Sequence, residues 1–261
     1  MSKTTTSSFG LWTERFVAAV LLGGQVAVHV LRGRFYRRNL LEQMVVVGPQ
    51  SLLIALLTAG FVGAVFTIQV AREFINLGAG NFVGGVLALA LTRELTPVLT
   101  SVIVAGRVCS AFAAELGTMQ VTEQIDALYM LRTDPVDYLV IPRVIACCLM
   151  LPLLTILCLV VGVGGGLVIS INFYNISSTV FLDSVRNFLT IWDLVSGEIK
   201  SFVFGAVIAV VGTSWGLTTT GGAKGVGEST TTAVVTALLS IFIIDFFLSW
   251  LMFQGTTSSV L

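Results

Sequence analysis

Long apolar runs separated by short polar segments dominate this chain. Five of the runs are long enough for a membrane-spanning helix, which needs about 20 mostly apolar residues. They occupy roughly residues 44–71, 82–108, 138–171, 195–218 and 231–254. The third run is longer than the hydrocarbon is thick, so we expect that helix to tilt or to project from the bilayer. The pattern therefore predicts an all-α integral membrane protein with five spans.

A sixth apolar run, residues 16–31, precedes these five. It is short for a span, is interrupted by Gly23 and Gly24, and has charged and aromatic flanks. We interpret it as an amphipathic helix in the membrane interface, with a short sixth span as the alternative. Residues 1–43 then form a cytoplasmic N-terminus with an interfacial helix, and residues 44–261 form the five-span domain.

The basic residues predict the orientation of the spans. Six of the 14 precede span one: Lys3, Arg15, Arg32, Arg34, Arg37 and Arg38. Because cytoplasmic segments are enriched in Lys and Arg, we expect the N-terminus to lie in the cytoplasm. The connection between spans two and three is then also cytoplasmic, and so is the glycine-rich segment 221–227, which we interpret as a flexible loop. Segments 72–80 and 172–193 fall outside.

The composition of the chain and its missing motifs exclude several classes of function. Hydrophobic residues make up 56% of the 261 residues and charged ones 11%, and the mean hydropathy is +0.97. The balance of 14 basic and 14 acidic residues excludes a nucleic-acid binder that works by bulk positive charge. One histidine, His29, and four cysteines without CxxC spacing argue against a metal site. Walker A, GxGxxG, GxSxG and HExxH motifs are also missing, so we expect no catalytic residue and no cofactor.

Charged residues occur inside the predicted spans. Arg93 and Glu94 lie near the middle of span two, and Asp245 lies near the middle of span five. Each costs about 2.5–3.5 kcal/mol at the bilayer centre, so it must be paired or face a wet cavity. One interpretation is an ion pair between Arg93 and a carboxylate that fixes the packing of spans two and five. The other is a translocation cavity, which the neighbouring threonines and Pro97 favour.

Local spacing supports several boundaries. Asp134 before Pro135 is typical of the start of span three, and Thr190 with Asp193 has capping-box spacing before span four. Small residues recur at every fourth position of span one: Ser51, Ala55, Ala59, Gly63, Thr67 and Ala71. Such a stripe indicates close helix packing, either within the chain or between two copies.

The connection between spans two and three is acidic and has helical spacing. Val121, Ile125 and Leu128 share one face, and Gly117 with Thr118 offers a turn and an N-cap. A helix resting on the membrane surface is one interpretation, but anionic head groups repel its acidic residues. We therefore favour docking into a groove of a soluble partner.

Four motifs together resemble the MlaE/YrbE permease family. They are Arg93-Glu94-Leu-Thr-Pro97, Val104-Ala-Gly106-Arg107, Ala113-Ala-Glu115-Leu-Gly117 and Thr122-Glu123-Gln124-Ile-Asp126-Ala-Leu128. The resemblance covers roughly residues 35–255. Members of this family are membrane subunits of ABC transporters that work with MCE-domain lipid-binding proteins.

The resemblance implies partners and a substrate. The permease would be a homodimer with two cytoplasmic ABC ATPase subunits beneath it and a ring of MCE-domain proteins on the far side. Its substrate would be a phospholipid or a related lipid, carried between membranes. A bacterial inner membrane is the default location, and a plastid inner envelope is the alternative.

The resemblance also assigns residues by motif position. Residues 117–130 match the family's coupling helix, which inserts into the ATPase. The expected coupling residues are Glu115, Glu123, Gln124, Asp126 and Leu128. The expected residues of the substrate cavity are Arg93, Glu94, Lys200 and Asp245.

Two other functions stay open from the residues alone. An autonomous secondary transporter would use Glu94 and Asp245 as a proton relay, although many such transporters are built from internal repeats that this chain lacks. A membrane scaffold that transports nothing would need Arg93 and Glu94 only for packing.

Overall fold

The computed structural model describes residues 8–31 and 37–254, and every regular element in these ranges is helical. Five helical segments are long and apolar enough to cross a membrane: Arg37–Asn76, Gly80–Val121, Val136–Tyr174, Ile191–Leu217 and Gly222–Phe253. This confirms the predicted all-α membrane protein with five spans. Three of the basic residues used for the orientation, Lys3, Arg32 and Arg34, lie outside the described residues.

The helices are numbered along the chain. Before the spans comes α1 (Ser8–Leu31), and span one consists of α2 (Arg37–Val47) and α3 (Pro49–Asn76). Span two is α4 (Gly80–Val121), followed by the short α5 (Gln124–Met130). Span three is α6 (Val136–Tyr174), followed by α7 (Ser178–Phe188). Spans four and five are α8 (Ile191–Leu217) and α9 (Gly222–Phe253).

The chain forms two compact units, and each contains parts of all five spans. The first unit comprises Met1–Val46, Val104–Cys147 and Gly205–Ser240. The second comprises Val47–Ile103, Cys148–Phe204 and Ile241–Leu261. The first unit carries the connection between spans two and three, and the second carries Arg93, Glu94, Lys200 and Asp245.

Helix α1 belongs to the first unit and is not among the candidate spans. Its buried side chains are Ala19, Leu22 and Val26, whereas Val20 and Leu21 are exposed. The outward face is therefore apolar too, unlike that of an amphipathic helix with a polar outer face. Such a face suits contact with lipid, and the interfacial position of this helix stays a prediction.

The first unit is held together by an apolar cluster and by close helix contacts. Leu116, Ile125 and Leu139 form its buried cluster. A Cβ atom at Gly216 would lie 2.6 Å from Cβ of Leu116, so α8 and α4 approach more closely than a larger residue would permit. This contact positions the end of α4, from which α5 follows.

In the second unit, span one packs against span three through its small residues. Five residues of the predicted stripe are buried: Ser51, Ala55, Gly63, Thr67 and Ala71. A Cβ atom at Gly63 would overlap the carbonyl of Gly162, and one at Gly165 would overlap that of Gly60. The stripe therefore serves packing within the chain, which was one of the two interpretations.

Helix α7 was not predicted, because the segment 172–193 gave no clear helical signal. It begins after Ser177, whose Oγ accepts a hydrogen bond from Val180 N at 3.4 Å. Phe181 of α7 is buried against Leu87 and Leu91 of α4. This amphipathic helix closes one end of the second unit.

Two predicted helix starts were confirmed, and one predicted loop was wrong. Asp134 Oδ1 accepts from Val136 N at 2.9 Å, and Asp193 Oδ2 accepts from Thr190 N at 2.9 Å. The predicted flexible loop 221–227 is instead helical from Gly222 onwards. Glycine is a poor helix former, but the apolar run that follows continues this helix and outweighs its low propensity.

Candidate functional site

A charged cluster forms in the second unit from spans two, four and five. We use this name for Arg93, Glu94, Asp193, Lys200 and Asp245. Lys200 is fully buried at its centre. Its Nζ lies 2.9 Å from Glu94 Oε2 and 3.0 Å from Asp245 Oδ1. The sequence-predicted cavity residues Glu94, Lys200 and Asp245 are therefore in direct contact.

Two uncharged oxygens complete the surroundings of Lys200. Nζ donates to the carbonyl of Arg93 at 2.8 Å and to Ser249 Oγ at 2.7 Å. Ser249 Oγ in turn donates to Glu94 Oε1 at 2.8 Å. Ser249 escaped the sequence analysis because an isolated serine in an apolar run carries no distinguishing signal.

The backbone of α4 explains why the Arg93 carbonyl can accept this bond. Proline has no N–H group, so Pro97 cannot donate to the carbonyl four residues earlier. Leu91–Leu95 also form a π-helical turn, which shifts the hydrogen-bond register of α4. Such turns are frequent at functional sites. The carbonyl that Pro97 frees is therefore part of the cluster.

Arg93 pairs with a carboxylate that the sequence analysis did not consider. Its Nε donates to Asp193 Oδ1 at 2.6 Å, and its guanidinium lies 4.6 Å from the centre of the Phe253 ring. The expectation that an Arg93 ion pair joins spans two and five was wrong, because Asp193 begins span four. Spans two and five are joined through Lys200 instead. Asp193 had been recognised only as a helix cap.

Exposure divides the charged cluster into a buried and an accessible part. The side chains of Lys200 and Asp193 are 0% and 1% exposed, whereas those of Arg93 and Glu94 are 37% and 44% exposed. Three carboxylates face two cations, so the formal charge of the cluster is −1 with every group ionised. The cluster can therefore present one cation and one anion to a polar group while the buried charges hold them in place.

An apolar groove of about 450 Å³ lies between spans one and two in the second unit. It is lined by Thr58, Phe61, Val62, Val65, Phe66, Gln69 and Leu95. Leu95 follows Glu94 in α4, but no residue of the charged cluster lines the groove itself. A ligand with a charged end and an apolar body fits this combination.

The connection between spans two and three lies in the first unit and ends in a short helix. Ile125 is buried and Leu128 packs beside it, which confirms the predicted apolar face. Glu123, Gln124 and Asp126 are exposed, as an interaction with a partner would require. Glu123 has φ 61° and breaks the helix between α4 and α5. Three of the predicted coupling residues thus lie on the accessible face.

One expectation about this connection was wrong. The turn lies at Glu123 and not at Gly117, which is buried inside α4, where a Cβ atom would lie 3.0 Å from Thr219 Oγ1. Glu115 lies in α4, where its Oε2 accepts from Arg143 Nη2 at 2.6 Å, and its coupling role stays a prediction. A small residue had indicated a turn, but in this position it permits a close helix contact.

Large apolar side chains project from the end of α5. Met130 is 87% exposed and Leu131 is 74% exposed, and Tyr129 is also exposed. The sequence analysis did not single them out, because they lie off the predicted buried face. Together with the acidic residues they give α5 an outward surface that is partly apolar and partly acidic.

One group of metal-ligand types comes together within the described residues. Ligand atoms of His29, Asp134 and Asp137 lie within 4.8 Å of one another. His29 Nδ1 lies 2.6 Å from Asp137 Oδ1, and Asp134 already accepts from the backbone of α6. We interpret the group as the attachment of α1 to the start of α6.

Comparison with known proteins identifies close relatives. A family model described as Permease MlaE matches residues 40–251. A probable ABC transporter permease protein of Synechocystis sp. is 69% identical over 97% of both chains. The chloroplastic protein TRIGALACTOSYLDIACYLGLYCEROL 1 of Arabidopsis thaliana is 54% identical over 94% of this chain and 70% of its own length. A probable ABC transporter permease protein of Rickettsia typhi is 41% identical over 86% of this chain and 87% of its own.

Proposed function

This chain belongs to the MlaE family of ABC-transporter permeases, and we propose that it moves phospholipids or related lipids between two membranes, driven by a separate ATPase subunit. The observation that carries the proposal is that α4 bears the accessible pair Arg93 and Glu94 and, at the next residue, contributes Leu95 to an apolar groove. A phospholipid has the same two parts, a charged head group and apolar chains. The name of the Arabidopsis relative also refers to a glycerolipid.

Within this function, Arg93 binds the anionic part of the head group. Asp193 and the Phe253 ring fix the guanidinium, so little side-chain freedom is lost when the lipid binds. Lys200 holds Glu94 and Asp245 in place and makes their burial tolerable. The acyl chains lie along the groove between Thr58 and Leu95.

The partners follow from the family and from the exposed surface of α5. We propose that a cytoplasmic ABC ATPase subunit binds α5 through Glu123, Asp126 and the apolar residues at its end. The permease works as a homodimer with the lipid cavity between its copies, and an MCE-domain protein exchanges the lipid on the far side. The location is the inner membrane of a bacterium, with a plastid inner envelope as the alternative.

A reconstituted transport assay tests the role of Arg93. Proteoliposomes would contain the permease with its ATPase and MCE-domain partner, and ATP-dependent transfer of a fluorescent phospholipid would be measured. We expect Arg93→Gln to slow transfer about tenfold or more, because a hydrogen bond to a charged group contributes about 1.5–3 kcal/mol. Arg72→Gln is the matched control, since Arg72 is an exposed arginine near the C-terminal end of span one.

Two outcomes would contradict this function. Equal transfer by the Arg93→Gln variant and the wild type would remove Arg93 from the lipid path. Lipid movement by the permease alone, driven by a proton gradient without ATP, would instead favour the secondary transporter with Glu94 and Asp245 as its relay.

A further inference from the structure

A second groove, in the first unit, plays no part in the lipid path described above. Its volume is about 430 Å³. It is lined by Gln43, Val46, Ala111, Phe112, Ala114, Glu115 and Thr118. We call it the Gln43 groove. Four of its lining residues are apolar and three are polar, so its ligand must have both characters.

The polar side chains of the Gln43 groove offer hydrogen-bond acceptors. Gln43 Oε1 is buried and has no hydrogen-bond partner among the described residues. Glu115 uses one oxygen to accept from Arg143, but its side chain is still 57% exposed. Thr118 donates its hydroxyl proton to the carbonyl of Ala114 at 2.8 Å, which leaves its oxygen as an acceptor.

The buried oxygen of Gln43 is the feature that points to a ligand. Leaving a buried acceptor unpaired costs about 1–3 kcal/mol. A ligand that donates to Gln43 removes this cost, and the carboxylate of Glu115 favours the same donor. An anionic head group without donors would be disfavoured at both positions.

The surroundings of the groove are those of a membrane surface. Leu41 and Val45 are exposed apolar residues on the face of α2 opposite Gln43, and Arg38 of the same helix is an exposed basic residue. Arg107 donates to the carbonyl of Val46 at 3.2 Å, so a second basic residue lies beside the groove. Basic residues next to lipid-facing apolar ones are typical of the cytoplasmic interface.

We propose that the Gln43 groove binds the head group of a lipid of the cytoplasmic leaflet whose head group carries N–H or O–H donors. The donors bind Gln43 and Glu115, and the apolar part of the lipid covers Val46 and the alanines. Ammonium and sugar head groups share this donor chemistry. The site goes beyond the proposed transport function, because it belongs to the first unit, shares no residue with the charged cluster and requires no ATP.

Native mass spectrometry of the purified permease tests this site with three synthetic lipids. Phosphatidylethanolamine carries ammonium donors, monogalactosyl diacylglycerol carries hydroxyl donors without charge, and phosphatidylcholine carries a cation without donors. Because one net hydrogen bond contributes about 0.5–1.5 kcal/mol, we expect the wild type to retain the first two about 2–10-fold better than phosphatidylcholine.

Variants assign the preference to the groove. Gln43→Leu should lower retention of both donor lipids to that of phosphatidylcholine, and Gln43→Glu, which keeps an acceptor, should preserve the preference. Gln120→Leu is the matched control, because Gln120 lies on α4 but does not line the groove. Size-exclusion chromatography checks that each variant is folded, and Gln43→Met replaces Gln43→Leu if the latter is not.

Three results would overturn the proposal. Equal retention of all three lipids by wild type and Gln43→Leu would show that the groove selects no head group. Better retention of both zwitterionic phospholipids than of the galactolipid would show that the ammonium charge, not hydrogen bonding, decides. Loss of ATPase co-purification in Gln43→Leu with unchanged lipid preference would make the groove a protein contact. The Arg93→Gln variant should keep the head-group preference even where lipid transfer is lost, so the two proposals fail separately.

Discussion

At the residue scale, Lys200 is the side chain on which the charged cluster depends. It is fully buried and touches two carboxylates that belong to different spans. An ammonium group has three protons, and four oxygens surround Nζ within 3.0 Å. The lysine is therefore saturated by the protein, which leaves ligand contacts to the more exposed Arg93 and Glu94.

Replacement of Lys200 should destabilise the protein strongly. In Lys200→Met, Glu94 and Asp245 lose their shared cation, and removal of one partner from a buried ion pair costs about 3–5 kcal/mol. We expect a clearly lowered Tm in detergent, measured by following tryptophan fluorescence during thermal unfolding. The double variant Lys200→Met/Asp245→Asn should regain part of the loss, because one unpaired carboxylate is removed with the cation.

The control for this experiment is the exposed Lys224. Its Nζ lies 3.8 Å from Glu228 one helical turn away, and exposed pairs of this kind contribute about 0–1 kcal/mol. Lys224→Met should therefore leave the Tm nearly unchanged. A Tm of Lys200→Met equal to that of the wild type would show that the cluster contributes nothing to stability.

At the element scale, the contact between span one and span three depends on Gly165 and not on its neighbour Gly164. A Cβ atom at Gly165 would overlap the carbonyl of Gly60, whereas one at Gly164 meets nothing within 4 Å. Gly165→Ala should lower the Tm, because overpacking costs about 1–3 kcal/mol and a backbone atom cannot move aside. Gly164→Ala should leave the Tm unchanged or raise it, since alanine favours the helix by about 1 kcal/mol. Equal Tm values for the two variants would contradict this packing.

Elements of this fold differ in how far the sequence predicts them. The spans and the caps at Asp134 and Thr190 were predictable, because hydropathy and capping depend on residues close in the chain. The Arg93–Asp193 pair joins residues 100 positions apart, so tertiary packing alone decides it. The close contact between Gly117 and Thr219 likewise joins residues far apart in the chain.

At the scale of the whole molecule, the surface of α5 supports the proposal that the chain is one part of an assembly. Met130 and Leu131 are more than two thirds exposed although they lie outside the predicted spans. Exposed apolar side chains next to acidic ones are typical of a surface that a partner covers. The sequence predicted the acidic part of this surface, and the apolar part became evident only once the end of α5 was known.

Charge reversal on α5 tests whether the ATPase binds there. Like charges across an interface cost several kcal/mol, so Glu123→Lys/Asp126→Lys should abolish co-purification of the ATPase with the tagged permease. The buried face formed by Ile125 and Leu128 is untouched, and the size-exclusion profile should therefore match that of the wild type. Glu73→Lys/Asp183→Lys, at exposed positions of α3 and α7, makes the same change of net charge away from α5 and is the control.

A neutral variant separates docking from local helix stability. Asp126 lies in the first turn of α5, where loss of its charge costs the helix about 0.3–1 kcal/mol. Glu123→Gln/Asp126→Asn carries this helix cost without the repulsion, so it should weaken ATPase binding far less than the lysine variant does. If the lysine variant co-purified with as much ATPase as the wild type does, neither carboxylate could be a docking contact. Binding would then rest on the apolar end of α5, and Met130→Ser/Leu131→Ser would be the variant that abolishes it.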